Sequence, residues 1–233
     1  MLAEAHDLPG VIDLLKQQIP AVSVEGVSVL TELAAATRNA SPDLRLICFC
    51  TGVIVPRDVL NNLSGPAYNF HPGPPEFRGI YPAVFAIYSG ARQFGATAHE
   101  LSETVDEGAI VGVDMVDMPA NIDRLNLEAL SRHLVTGLLT RLAPELIGSD
   151  DPLQHTGVNW SGRKWTRRDF EDLCYLPDDV EGQEFERRYR ALGEGPEHAL
   201  KFRRFGRTFS LNPVAGDGVV YKGGDAVGRV SEE

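Results

Sequence analysis

Apolar and polar positions alternate between two rhythms along this chain. Leu44 to Cys50 (LRLICFC) is a compact apolar run bounded by Pro42 and Gly52, which predicts a buried strand of the kind found in parallel sheets. Ala67 to Phe70 predicts a second, short strand that Pro72 ends or just follows. Ahead of these, Val11 to Gln18 predicts a short helix, and Val27 to Arg38 a better one that stops near Asn39-Ala40-Ser41-Pro42. Pro56 suits the first turn of a helix through Leu60, and Gly65-Pro66 breaks it. His71 to Tyr81 opens with HPGPP and predicts a rigid loop. Pro82 then starts a helix through Ser89 that Gly90 closes. Phe94 to Leu101 and Ala109 to Met118 predict paired strands joined by a turn at Asp106-Glu107-Gly108. Leu127, Leu130, Leu134 and Leu138 recur at helical spacing, with Asn126 as cap and Gly148 as stop.

This order of strands and helices predicts an α/β protein with an open, mostly parallel sheet and helices on both faces. Such folds place sites just past the carboxyl ends of strands, where His71 falls. The tail changes character. Asp151 to Trp165 is polar and rich in turn residues, Phe185, Tyr189 and Leu192 predict one amphipathic helix, and Arg207 to Leu211 with Gly218 to Tyr221 predict a hairpin. The expected organisation is a catalytic domain over residues 1–150 and a short α+β C-terminal appendage over 151–233, serving acceptor binding or dimerisation.

Composition narrows the function classes. The 233 residues carry a net charge of −11, which opposes attraction to nucleic acid. Residues 151–233 hold 13 of the 22 basic and 15 of the 33 acidic side chains, leaving about −9 on the first part and about −2 on the tail. No apolar run is long enough for a membrane span, and the acidic N-terminus has no signal-peptide order, so a cytoplasmic location is expected. Cys48, Cys50 and Cys174 are odd in number and lack zinc spacing, which predicts buried thiols and no metal site.

The candidate chemistry lies between Tyr68 and Ile110. Asn69 and His71 are two apart on an extended strand and so project from the same face. Asp106 lies in a turn after a later strand, within reach of the same crevice. An imidazole can take a proton from an attacking amine, an amide can donate to a tetrahedral oxyanion, and a carboxylate can orient the imidazole and favour the imidazolium. No Ser or Cys is placed as a nucleophile, so direct transfer is expected. Spacing alone also fits three ordinary turn residues.

The ordered motifs favour the first reading. N-F-H-P-G from Asn69, F-R-G from Phe77, G-x-T-x-H from Gly95 and D-x-G-x-I from Asp106 resemble the formyltransferase family, which uses N10-formyltetrahydrofolate; the resemblance covers roughly residues 44–147. It implies a Rossmann-like sheet. It also implies catalytic roles for Asn69 (formyl oxygen), His71 (base) and Asp106 (positioning and proton transfer). Phe49, Cys50, Thr51, Val53, Ile54, Val55 and Pro56, with Glu103, Thr104 and Val105, would hold the pterin largely through backbone groups. Pro74, Arg78, Gly79 and Tyr81 would meet the acceptor, and His99 would be structural. Only 43 residues precede LRLICFC and no opening strand with a glycine turn is evident, so the first βαβ unit is expected to be shortened or rebuilt.

The loop GPPEFRG after Pro72 is closer to the sugar N-formyltransferase branch than to the tRNA branch, pointing to a nucleotide-linked amino sugar as the small-molecule amine acceptor. Trp160, Trp165, Tyr189 and Arg190 would then be free to stack on a base or meet a diphosphate, with core packing as the alternative. Methionyl-tRNA, another small amine, and a non-catalytic folate-binding or partner-binding module are the competing readings. The tail hairpin is a possible homodimer contact.

Overall fold

The structure is a computed structural model and describes residues 1–193, 197–213, 219–223 and 226–228. Five strands form the main sheet in the order β1 (Leu2–Ala3), β2 (Ile47–Phe49), β3 (Tyr68–His71), β4 (Gln93–Glu100), β5 (Ile110–Asp117). The first three pair in parallel, and β4 is antiparallel to both neighbours. Four of the five strands therefore run one way, the mostly parallel Rossmann-like sheet expected. The strand β1 has only two residues, too few for any periodicity to announce it.

Strand alternation sorts the core into two faces. Ala3, Ile47, Phe49, Tyr68, Phe70, Ala96 and Ala98 pack against α1 (Leu8–Gln18) and α5 (Arg124–Gly148). Leu2, Leu46, Cys48 and Ala67 face the other way with Leu33 of α2 (Leu30–Thr37) and Val59 of α3 (Arg57–Asn61). Helices cover both faces. Asn69 and His71 alternate with Tyr68 and Phe70, so they leave the sheet away from α5.

Helix α4 (Pro82–Ser89) starts on Pro82 and stops on Gly90 at φ 68°, as its punctuation predicts. Helix α5 starts earlier than the leucine spacing suggests. Its cap is Asp123, whose carboxylate accepts from the Asn126 backbone N–H at 2.8 Å, so Asn126 is the capped donor and not the cap. Helix α6 (Arg167–Cys174) has no counterpart in the sequence reading, although Thr166 and Asp169 form a reciprocal capping box, a signal the sequence carries. Helix α7 (Gly182–Leu192) matches the amphipathic pattern. Phe170, Leu173 and Leu192 from these helices join Phe85, Phe94 and Leu127 in one buried cluster.

Strands β6 (Lys201–Arg204), β7 (Arg207–Pro213), β8 (Val219–Gly223) and β9 (Ala226–Gly228) make an antiparallel meander. The expected hairpin is its β7–β8 pair; Gly218 lies outside the described residues.

Residues 151–166 have almost no regular structure, yet backbone bonds tie them across the sheet end. Leu153 N–H donates to the Tyr68 hydroxyl at 2.9 Å, Thr156 N–H to the Ile110 carbonyl at 2.9 Å and Ser161 N–H to the Pro75 carbonyl at 3.2 Å. Among the described residues no helix is long and apolar enough to cross a membrane.

Leu138 of α5 is fully buried against this sheet. Leu138→Ala should cost about 2–5 kcal/mol, seen as a lower urea midpoint at unchanged slope. A loss under about 1 kcal/mol would contradict the packing described.

Candidate active site

The site begins with register. Asn69 pairs across to His99, and His71 to Thr97, so an amide and two imidazoles leave the sheet side by side at the end of β3 and β4. Pro72 and Gly73 turn the chain away from the strand. The turn is clamped by two hydroxyls: Ser131 Oγ donates to the Pro72 carbonyl at 2.5 Å and Thr97 Oγ1 to the Gly73 carbonyl at 2.8 Å. Gly73 has no room for a side chain, since a Cβ would lie 2.7 Å from His71 Nε2.

The β4–β5 loop brings Asp106 over this row. Its Oδ2 lies 3.8 Å from His71 Nδ1 and accepts the Gly79 N–H at 2.8 Å, while its Oδ1 lies 3.3 Å from His99 Nε2. The Asn69 amide nitrogen is 3.1 Å from the same His99 nitrogen. His99 Nδ1 meets the Glu100 carbonyl at 2.8 Å, which fixes the ring. His71 is 4%, His99 1% and Asp106 5% exposed, so the cluster is buried. Trp160 stands edge-on to both imidazoles, with centroids 4.9 Å from His99 and 6.1 Å from His71, and donates its indole N–H to the Gly108 carbonyl at 2.8 Å.

Burial alone would raise the Asp106 carboxyl. His71, the bond to His99 and the Gly79 N–H outweigh it and hold the group at about 2. Burial pushes the His71 imidazole below its usual range, against the opposing pull of Asp106 and the Phe77 carbonyl. At neutral pH the pair is a carboxylate beside a neutral imidazole. The Phe77 carbonyl, 3.1 Å from His71 Nε2, can only accept, so Nε2 carries the hydrogen and Nδ1 keeps its lone pair. Asp106 sits at φ 53° and Cys50 at φ 47°, left-handed conformations that cost on the order of 1–2 kcal/mol each. Both border the site, where surrounding contacts hold such strain.

A cavity of about 360 Å³ opens on this cluster, within the size range of small-molecule sites. Asn69, His71 and Asp106 converge on it. Cys50, Thr51, Val53, Ile54 and Val55 form one wall, Glu103, Thr104 and Val105 another, and Gly79 lies at its edge. Other residues expected at the site stand elsewhere. Phe49 points to the opposite face, into the α1–α5 core, because strand alternation separates it from Cys48. Pro56 caps α3 outside the cavity lining. Pro74 is buried in the loop, its carbonyl accepting from Phe77 N–H at 3.0 Å. Arg78 turns to Glu107 at 3.6 Å and the Gly162 carbonyl at 3.4 Å. Tyr81 packs on Phe170, with centroids 4.1 Å apart, and donates its hydroxyl to Glu197 at 2.9 Å. Trp165 lines the cavity and stacks on Phe85 at 4.0 Å, whereas Tyr189 and Arg190 line a separate cleft between α4 and α7.

Lys164, Thr166 and the Phe77 carbonyl also border the site without a sequence signal that placed them there, and His99, expected to be structural, joins the cluster. The G-x-T-x-H motif held the signal for His99, since its register opposite Asn69 follows from pairing the two strands. No local signal marked Lys164.

A family model described as formyl transferase matches residues 17–139, more than half of the chain. A methionyl-tRNA formyltransferase of Ehrlichia chaffeensis is 30% identical over 155 residues, covering 65% of this chain and 48% of the relative. The chain thus spans about half the length of the curated relatives it matches. Among solved structures, a sugar N-formyltransferase from a Shewanella species superimposes with a TM-score of 0.74 at 21% identity, over 92% of this chain and 96% of that one. An N-formyltransferase from Helicobacter canadensis, solved with folinic acid and dTDP-3-aminofucose, gives 0.64 at 13% identity over 97% and 95%. At these identities the two structures establish the fold.

The electrostatics give a direct test. In nitrogen-15 spectra His71 should titrate below the usual value of about 6.5. Asp106→Asn keeps a residue that tolerates positive φ but removes the charge, so the His71 titration should move lower still. A His71 titration that rises in Asp106→Asn would refute the pairing.

Proposed function

The chain belongs to the formyl transferase family, and from that premise we propose that it moves a formyl group from N10-formyltetrahydrofolate to the primary amine of a nucleotide-linked amino sugar. The observation that carries the reading is the convergence of Asn69, His71 and Asp106 on one small cavity. The segments 50–55 and 101–105 offer apolar side chains such as Val53, Val55 and Leu101 together with backbone amides, a lining suited to a flat heterocycle.

The geometry supports the following transfer. The acceptor amine attacks the formyl carbon, forming a C–N bond and a tetrahedral oxyanion. The Asn69 amide has two N–H groups, and the one not turned to His99 donates to that oxygen. His71 Nδ1, which keeps its lone pair, takes the proton from the amine, and Asp106 at 3.8 Å stabilises the imidazolium that forms. The intermediate collapses by breaking the bond from carbon to N10, which leaves with the proton returned by His71. Burial holds the Cys50 thiol at about 12, so the sulfur in the cavity wall is not a thiolate and a covalent formyl-enzyme has no nucleophile there.

Two observations favour a sugar acceptor over transfer RNA. The Shewanella sugar N-formyltransferase superimposes at a TM-score of 0.74, against 0.65 for a methionyl-tRNA formyltransferase of Clostridium thermocellum, each with more than nine-tenths of both chains covered. The net charge of −11 also opposes attraction to a nucleic acid. The second reading, formylation of methionyl-tRNA, is favoured by the curated relatives and stays as the competing assay.

Incubation with N10-formyltetrahydrofolate and a panel of dTDP- and GDP-linked amino sugars should add the mass of one CO to an acceptor, with no product from methionyl-tRNA. Formylated tRNA with no sugar product would reverse the assignment. Asn69→Ala should lower turnover by about 10²–10³ at an unchanged unfolding midpoint. Turnover within about twofold of the parent would remove Asn69 from the oxyanion site.

A further inference from the structure

The cavity has a third wall, made by Lys164, Trp165 and Thr166. It is held firmly. Trp165 N–H donates to the Arg78 carbonyl at 2.9 Å, Ile80 N–H donates to the Trp165 carbonyl at 3.1 Å, and the indole stacks on Phe85. A Cβ on Gly79, which sits at φ 95°, would lie 2.1 Å from the Trp165 carbonyl oxygen, so only glycine lets the segment close this near the Asp106 carboxylate. Thr166 is engaged at the head of α6, its hydroxyl donating to Asp169 at 2.6 Å. That leaves Lys164 as the group on this wall with unused chemistry.

Lys164 is the sole lysine or arginine among the residues that line the cavity. The other cations near its mouth are occupied: Arg57 by Glu103 at 3.0 Å, Arg78 by Glu107, Arg163 by Asp169 and Arg167 by the Tyr81 hydroxyl at 3.4 Å. Half-buried Lys164 has no ion pair among the described residues. A half-buried lysine beside a ligand cavity, with no carboxylate of its own, is free to meet an anion that a ligand brings.

We propose that Lys164 reads the acceptor, its ammonium meeting the diphosphate of the nucleotide-linked amine. This rests on the acceptor class argued above. The choice of acceptor over formyl donor comes from position. The walls at 50–55 and 101–105 lie inside the region matched by the family model, residues 17–139, and Lys164 lies outside it. The names of the relatives show different acceptors, methionyl-tRNA in one and dTDP-3-aminofucose in another. A residue that distinguishes acceptors belongs in the part of the chain beyond the common block. A lysine also suits a diphosphate, which it meets as a compact point charge.

The test is calorimetric binding to the full chain of dTDP, GDP and folinic acid, with Lys164→Met, which keeps the aliphatic stem, and Lys164→Arg, which keeps the charge. The parent should bind one of the nucleoside diphosphates. Lys164→Met should weaken that binding by about tenfold or more, while Lys164→Arg retains most of it, and folinic acid should bind all three proteins alike. Equal nucleotide affinity in parent and Lys164→Met, absence of binding of either nucleotide to the parent, or a selective loss of folinic acid would overturn the inference. Nucleotide binding through Lys164 without turnover of any amino sugar would sink the functional reading and leave this one standing. Turnover unaffected by Lys164→Met would do the reverse.

Discussion

A carboxylate removed from water has to be compensated, and in this protein that requirement organises the site. Asp106 is nearly inaccessible and ionised; it accepts the Gly79 N–H and lies beside the His71 and His99 imidazoles. None of these can move without leaving a buried charge uncompensated, which costs several kcal/mol in order of magnitude. The left-handed backbone at Asp106 and the glycine at 79 are the conformational terms that let the β4–β5 loop and the loop after Pro72 meet at one carboxylate. The hydroxyls of Thr97 and Ser131 lock the same turn from the sheet and from α5. The geometry of the cluster is thus overdetermined by packing before any ligand arrives.

The chemistry also divides along the chain. The strands and loops up to residue 117 supply the amide, imidazole and carboxylate together with the apolar walls at 50–55 and 101–105. The segment 151–166 returns across the sheet end to cover the imidazoles with Trp160 and to add the wall containing Lys164. A central cluster with a separately built rim is a physical arrangement in which the rim can change while the cluster stays fixed.

Much of this was legible in the sequence, for identifiable reasons. Period-two spacing placed Asn69 and His71 on one face, and Pro and Gly marked the loop and both ends of α4. Two residues expected on the wall at 50–55 lie elsewhere: Phe49 belongs to the opposite side of the sheet because neighbouring strand residues alternate, and Pro56 falls beyond the wall at the start of α3. Pro74, Arg78 and Tyr81 follow His71 in sequence, but the loop folds back and hands them to internal partners. The two-residue β1, the contact of Asp106 with His99 and the wall at Lys164 depend on long-range pairing, which no local pattern encodes.

The central claim is that one amide, one imidazole and one carboxylate surround the carbon being transferred. A crystal structure of the chain with a non-transferable analogue of N10-formyltetrahydrofolate tests it most directly. The account predicts the carbonyl oxygen of the analogue within hydrogen-bond distance of the Asn69 amide, and its carbon facing the gap between His71 Nδ1 and Asp106. An analogue seated instead in the cleft between α4 and α7, with the gap filled by water, would contradict it.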